Sequence, residues 1–145
     1  MSSARTPLYV AEPSAQYLAR PPLVVDCSAV AGLVFQEDWR DDAAQQMMGR
    51  SLHAPYLLQV ELASVAVKKL RRGEQHAADG LAEAKNLLIE LHALQPQAVA
   101  DLAMHYKLSA YDAAYLWLAA ELKAPLATFD KKLADAARTH LTSPP

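Results

Sequence analysis

Four acidic residues occupy settings in which a carboxylate can do chemistry: Asp26, Glu61, Asp112 and Asp130. Asp26 ends the apolar run Leu23-Val24-Val25-Asp26-Cys27-Ser28. Glu61 interrupts the oily stretch Leu57-Leu58-Gln59-Val60-Glu61-Leu62-Ala63-Ser64-Val65. Asp112 stands in Ser109-Ala110-Tyr111-Asp112-Ala113-Ala114-Tyr115-Leu116, and Asp130 closes Ala127-Thr128-Phe129-Asp130. Brought together, these groups need a cation or shared protons. Two carboxylates ~4 Å apart at an effective dielectric of about 20 repel by roughly 4 kcal/mol. Oxygen donors without a cysteine or histidine pair suit hard divalent ions, Mg²⁺ or Mn²⁺, better than zinc. Such ions activate water and stabilise charge on a phosphate and its leaving oxygen, with no covalent nucleophile. Asp26 and Asp112 are expected as direct ligands, with Glu61 ligating or orienting the water.

The elements that must position these groups follow from the apolar pattern. Leu23 to Cys27 reads as a strand buried on both faces. Ala29 to Phe35 and Asp38 to Met48 read as helices and Leu52 to Ala54 as a short strand. Tyr56 to Arg71 reads as a helix entered just after Pro55. Glu74 to Leu88 is a further helix, and Ile89 to Leu94 alternates as a strand does. Pro96 opens a helix to Tyr106, and Ser109 caps another over Ala110 to Leu122. Pro125 to Phe129 is the last expected strand and Lys131 to Thr139 the last helix. Strands separated by helices predict an α/β fold with a parallel sheet of four or five strands and helices on both faces. Ligands of such folds bind outside the carboxyl ends of the strands. Asp26 and Asp130 fall there. Asp112 lies in the first turn of one helix and Glu61 about one turn into another, so all four can face one edge of the sheet.

Each acid also has a simpler job available. Asp26 can cap the helix that follows it, although Ser28 is as well placed. Glu61 shares a helical line with Ser64, Lys68 and Arg72, which would make it part of a solvated stripe. Its neighbours Leu57, Leu58, Leu62 and Val65 argue against full exposure. Ser109-Ala110-Tyr111-Asp112 matches a capping box. The helix that follows is apolar almost all round, so a carboxylate at its start needs donors or a metal. Asp130 can cap the terminal helix.

The whole chain bounds the class of protein. Its 145 residues are enough for one domain with a proper core, and 52% hydrophobic with 21% charged residues is a soluble, globular balance. Residues 1–22 hold four prolines, Pro7, Pro13, Pro21 and Pro22, with no clear period. They read as an arm, with a short helix over Ser14 to Ala19, ahead of a domain over 23–141 and a frayed tail over 142–145. One cysteine excludes an internal disulfide and points to a reducing compartment, the cytoplasm. No apolar run is long enough to span a membrane, and no basic region precedes an apolar core at the N-terminus. A net charge of −2 excludes general electrostatic coating of nucleic acid but leaves room for a local basic patch.

Taken together, Val25-Asp26-Cys27-Ser28, Glu61 in Val60-Glu61-Leu62-Ala63, Leu108-Ser109-Ala110-Tyr111-Asp112-Ala113-Ala114-Tyr115-Leu116 and Ala124-Pro125-Leu126-Ala127-Thr128-Phe129-Asp130-Lys131-Lys132-Leu133 resemble a PIN domain. The match runs from about Leu23 to Arg138 and is closest to the VapC-like toxins of bacterial toxin–antitoxin pairs. The resemblance implies a three-layer α/β/α sandwich and a metal-dependent endoribonuclease. It implies that Asp26, Glu61, Asp112 and Asp130 bind Mg²⁺ or Mn²⁺, and that Ser28 and Thr128 steady the carboxylates or contact the metal shell. It implies RNA as substrate, a small antitoxin as partner, and a homodimer. Two features depart from the family: the N-terminal arm, and an end soon after Arg138-Thr139-His140-Leu141, where relatives often continue into a final edge strand.

Substrate contacts must come from other residues. Lys68, Lys69, Arg71 and Arg72 form a basic end to the Glu61 helix, with Lys68 and Arg72 on one face. They can meet backbone phosphates or simply complement the helix dipole. Lys131 and Lys132 beside Asp130 can do either. His53, His76, His92, His105 and His140 have no ligand-like spacing. Cys27 reads as a small buried residue, and Trp39, Trp117 and the tyrosines as core. The main alternative in function is a catalytically inactive PIN-type module that binds RNA or protein, in which carboxylate substitutions would leave binding intact. A phosphoacceptor receiver domain would want an acidic pair after the first strand, and a haloacid-dehalogenase-type phosphatase a second Asp where Ser28 stands.

Overall fold

In the computed structural model the described residues are 8–9 and 20–142. Most of the arm over 1–22, the helix expected over Ser14 to Ala19 and tail residues 143–145 lie outside them. The chain forms β1 (Pro22–Val25), α1 (Cys27–Val34), α2 (Arg40–Met47), β2 (Ser51–Pro55), α3 (Leu57–Arg71) and α4 (Ala77–Asn86). It continues through β3 (Ile89–His92), α5 (Pro96–Tyr106), α6 (Ala110–Leu122), β4 (Leu126–Ala127) and α7 (Lys131–Thr142).

The four strands make one parallel sheet in the order β3-β2-β1-β4. Helices α1 to α4 pack among themselves on one side, and α5 to α7 on the other. This is a three-layer α/β/α sandwich. Leu23, Val24 and Val25 of β1 are buried, as a strand covered on both faces requires. Helix α6 is the second pillar of the core, with every residue from Ala113 to Ala119 buried. From β1 the chain steps outward to β2 and β3, then returns to place β4 on the other flank of β1. The strand order therefore reverses between β1 and β4, the place where folds of this kind open a ligand crevice at the carboxyl ends of their strands.

Several boundaries differ from expectation, among them three strand ends. Cys27 starts α1 instead of ending β1, because Asp26 is extended (φ −90°, ψ 177°) and caps the helix. β4 is two residues long, not five: the Phe129 N–H donates to Ser28 Oγ (2.9 Å) and the Asp130 N–H to Thr128 Oγ1 (3.0 Å), so neither joins the sheet ladder. β3 ends at His92, short of Leu94. Among the described residues no strand follows α7, which runs three residues beyond the expected Thr139. No helix of the described residues is long and apolar enough to cross a membrane.

The basic end of α3 is divided by the fold. Lys69 turns inward, 2.7 Å from Glu37 and 3.7 Å from Glu74, with its ammonium 5.9 Å from the centre of the Phe35 ring. Arg72 Nε is held by Glu74 at 2.8 Å. Lys68 remains exposed.

Candidate active site

Asp26 leaves the carboxyl end of β1 and is almost completely buried, at 4% exposure. Its Oδ1 accepts from the Ala29 N–H (3.0 Å) and from Ser28 Oγ (2.7 Å), and its Oδ2 from Thr128 Oγ1 (2.5 Å). It is thus both the cap of α1 and a carboxylate fixed on both oxygens. Thr128 reaches it from just beyond β4, across the switch point. Ser28 does two jobs, since its Oγ also accepts the Phe129 N–H and so ties the loop after β4 to α1.

Glu61, on α3, is half-buried, and Tyr115 of α6 donates its hydroxyl to Glu61 Oε1 at 2.6 Å. Tyr115 is 1% exposed. Sequence reasoning assigned the tyrosines to the core, and Tyr115 is core, but a buried phenol also needs a hydrogen-bond partner. Its place three residues after Asp112, one helical turn on, was the signal available. Asp112 sits in the first turn of α6, where its backbone N–H donates to Ser109 Oγ (3.1 Å). Asp130 is exposed and caps α7, accepting the Leu133 N–H at 2.9 Å.

Electrostatically, the acids form one system. Burial raises the Asp26 pKa, opposed by the bonds from Thr128, Ser28 and Ala29, with a further upward push from Asp112. Burial also raises Glu61, the Tyr115 bond opposes it, and the charges of Asp112 and Asp26 add to the rise. Asp112 is raised by burial and by Asp130, against Ser109 and Lys132. Asp26, Glu61 and Asp112 are thus each pushed up by the charge of another acid of the group. Cys27, between Asp26 and Ser28, has its thiol pushed up to about 12 by burial and by the charges of Glu61 and Asp26. It stays protonated and is no nucleophile.

The quartet is open, not a closed cage. Among the described residues, the group of three whose ligand atoms all lie within 4.8 Å of one another is His53, Glu90 and His92, not any three of these acids. An open oxygen site suits Mg²⁺, which keeps several of its waters. Trp39 and Phe129 complete the surroundings: Trp39 Nε1 donates to the Ser28 carbonyl (3.2 Å), and the two rings lie 5.8 Å apart. Both are partly exposed, at 36% and 42%, so Trp39 is not the core residue its composition suggested.

The raised carboxyl groups have a consequence for stability. Unfolded, these acids ionise at ordinary values near 4. Folded, they ionise only at higher pH, so their contribution to stability is present in acid and is lost as pH rises through the raised values. In metal-free protein, Asp112→Asn is therefore expected to raise the melting temperature more at pH 7.5 than at pH 5. Thermal melts in EDTA check this, and an equal shift at both values would remove the proposed repulsion.

Acids at the carboxyl ends of β1 and β4 and at the start of α6, in a parallel α/β/α sandwich, agree with the family comparison. The chain belongs to the PIN domain family, which matches residues 23–139. It is 33% identical to Ribonuclease VapC3 of Pyrobaculum aerophilum over 121 residues, covering 78% of this chain and 92% of that protein. It is 31% identical over 116 residues to Ribonuclease VapC9 of Mycobacterium tuberculosis, covering 78% and 89%. The crystal structure of PAE2754 from Pyrobaculum aerophilum superposes with a TM-score of 0.64 over 84% of this chain and 88% of that one. At 22% identity, that last likeness concerns the fold.

Proposed function

We propose that this protein is a metal-dependent endoribonuclease that hydrolyses RNA phosphodiester bonds, and the toxin of a type II toxin–antitoxin pair. One observation carries the site: the buried Asp26, gripped on both oxygens at the switch point, lies within electrostatic reach of Glu61 and Asp112. The similarity to VapC ribonucleases supports the substrate and the pairing with an antitoxin.

The donor set fits a hard divalent ion: it offers oxygen, and its buried Asp26 and half-buried Glu61 and Asp112 repel one another. Asp26, Glu61 and Asp112 would hold Mg²⁺ or Mn²⁺, with Asp130 on the exposed side. When bound, the ion neutralises the cluster, activates water and stabilises charge developing on the phosphate. The protein's own residues prepare the geometry. Ser28 and Thr128 fix the Asp26 carboxylate, and Tyr115 fixes Glu61. Lys132 stands close enough to Asp112 to act on its charge. Exposed Lys68 and Lys131 are the remaining candidates for phosphate contact. Arg72 is committed to Glu74 and contributes less. The Trp39–Phe129 pair offers aromatic faces beside the site on which bases can stack. Tyr56, at the start of α3, and Val60, Val67 and Leu70 within it are exposed along one face, an apolar stripe that supports a protein partner, whether antitoxin or second subunit.

Cleavage of total and transfer RNA by purified protein, in Mg²⁺ or Mn²⁺ and in EDTA, tests this reading. Discrete, metal-dependent cleavage is expected. RNA binding with no cleavage under any metal would favour the inactive binding module. Tyr115→Phe removes the donor to Glu61 without removing a carboxylate. It should lower the single-turnover cleavage rate by about 10- to 100-fold, as losses of groups that orient metal ligands do. An unchanged rate would show that Glu61 needs no such positioning.

A further inference from the structure

Histidine and glutamate converge a second time, away from the acidic quartet. In the parallel register of β2 and β3, His53 pairs with Glu90 and Pro55 with His92. Side chains alternate along strands, so Ser51, His53, Glu90 and His92 emerge on one face of the sheet. Ile89 and Leu91 point the other way, into a pocket with Leu58, Leu62 and Leu81 of α3 and α4. On the histidine face, His53 Nδ1 lies 2.9 Å from His92 Nε2 and 3.5 Å from Glu90 Oε2. The three ligand atoms all fall within 4.8 Å of one another.

We propose that His53, Glu90 and His92 form a second metal site, for a borderline transition-metal ion of the Zn²⁺ class, clamping edge strand β3 to β2. Two imidazole nitrogens and a carboxylate oxygen are a zinc donor set. With bonds of about 2.0–2.1 Å, tetrahedral geometry places neighbouring ligand atoms roughly 3.3–3.5 Å apart. The observed 2.9 and 3.5 Å need only a small spreading. Ser51 Oγ lies 2.6 Å from His53 Nε2. In the tautomer whose Nε2–H donates to Ser51, the Nδ1 lone pair faces the cluster, as with the hydrogen-bond partner behind a ligating histidine. The His53 side chain is 12% exposed and that of Glu90 69%, so an ion can enter from solvent and keep a water in its fourth position. The cluster of ligand atoms contains His53, Glu90 and His92 and none of the four acids, which marks it as a separate site. The two sites also differ in softness: oxygen-only donors select Mg²⁺ or Mn²⁺, and imidazoles select zinc-class ions. This inference does not depend on the ribonuclease reading.

The test is calorimetric titration of the full-length protein with Zn²⁺ in excess Mg²⁺, which competes for hard oxygen donors. One equivalent is expected to bind. Affinity should fall by at least ~100-fold in His92→Ala, and by about 10-fold or more in Glu90→Gln, while Asp112→Asn leaves it unchanged. Glu90 is exposed, so its variant reports on the site without disturbing the core. Co²⁺ in place of Zn²⁺ should give the visible absorption of four-coordinate geometry, lost in His92→Ala. No binding of Zn²⁺, or binding that survives His92→Ala, overturns the proposal. So does binding lost in Asp112→Asn, which would put the ion among the acids.

Discussion

Asp26→Asn and Asp112→Asn are each expected to reduce single-turnover RNA cleavage by at least ~10²-fold while the protein stays folded. Losses of 10- to 100-fold are common when a group behind a metal ligand is removed, and loss of a ligand itself should cost at least as much. The two substitutions act differently. Asp26 holds three hydrogen bonds on two oxygens, and an amide can accept on only one side. Asp26→Asn therefore loses the acceptor facing either Thr128 or the Ser28 and Ala29 pair, and in the second case also disturbs the Phe129 loop through Ser28. Asp112 is tied through its backbone N–H, so Asp112→Asn changes charge with little change in structure. Asp130→Asn should have the mildest effect, because that residue is exposed and already occupied in capping α7. Rates measured over a range of Mn²⁺ concentrations distinguish weakened metal binding from lost chemistry. Full activity in Asp112→Asn would remove it from the site.

The largest effect on stability is expected far from the acids, at Gly80. A Cβ placed there would lie 2.4 Å from a Phe35 ring carbon and 2.7 Å from the Val34 carbonyl oxygen. Phe35 is 2% exposed and cannot swing aside, and the carbonyl belongs to the backbone of α1. Gly80 is what allows α4 to lie against α1. Overpacking of a filled core costs about 1–3 kcal/mol and sometimes more. Gly80→Val, with two further methyl groups, belongs at the upper end of that range, a fall in melting temperature of roughly 10 °C for a domain of this size. Thermal melts in EDTA and in Mg²⁺ should show the same fall, since the substitution does not touch the acids. A melting temperature within a degree or two of the parent protein would mean that α4 can move away from α1 at little cost.

Much of the fold was legible in one sequence because its signals are local. The buried strand Leu23 to Val25, the start of α3 after Pro55, the Ser109 cap and the apolar girdle of α6 each depend on a handful of adjacent residues. The carboxylates were legible for the same reason: they stand at strand ends and helix starts. What escaped the sequence reading is set by residues distant along the chain. His53 and His92 are 39 residues apart and meet only through the β2–β3 register, so no spacing rule links them. The Thr128 bond to Asp26 joins residues 102 apart across the switch point. Its motif suggested a supporting role, but the atom it holds needed the fold. Lys69 was grouped with its basic neighbours on composition, yet its angle around α3 turns it inward to Glu37. β4 looked five residues long because Thr128 and Phe129 are good strand formers. Their backbone is diverted by Ser28 and by the turn into α7.

Anomalous diffraction from crystals soaked in Mn²⁺ bears most directly on the central claim, that Asp26, Glu61, Asp112 and Asp130 surround a divalent cation. The account predicts a manganese peak in the crevice between β1 and β4, bonded to oxygens of Asp26 and Asp112 with Glu61 in direct or water-bridged contact, and absent from Asp112→Asn crystals. A crevice empty of manganese at concentrations that support cleavage, or a peak unchanged in Asp112→Asn, would contradict it.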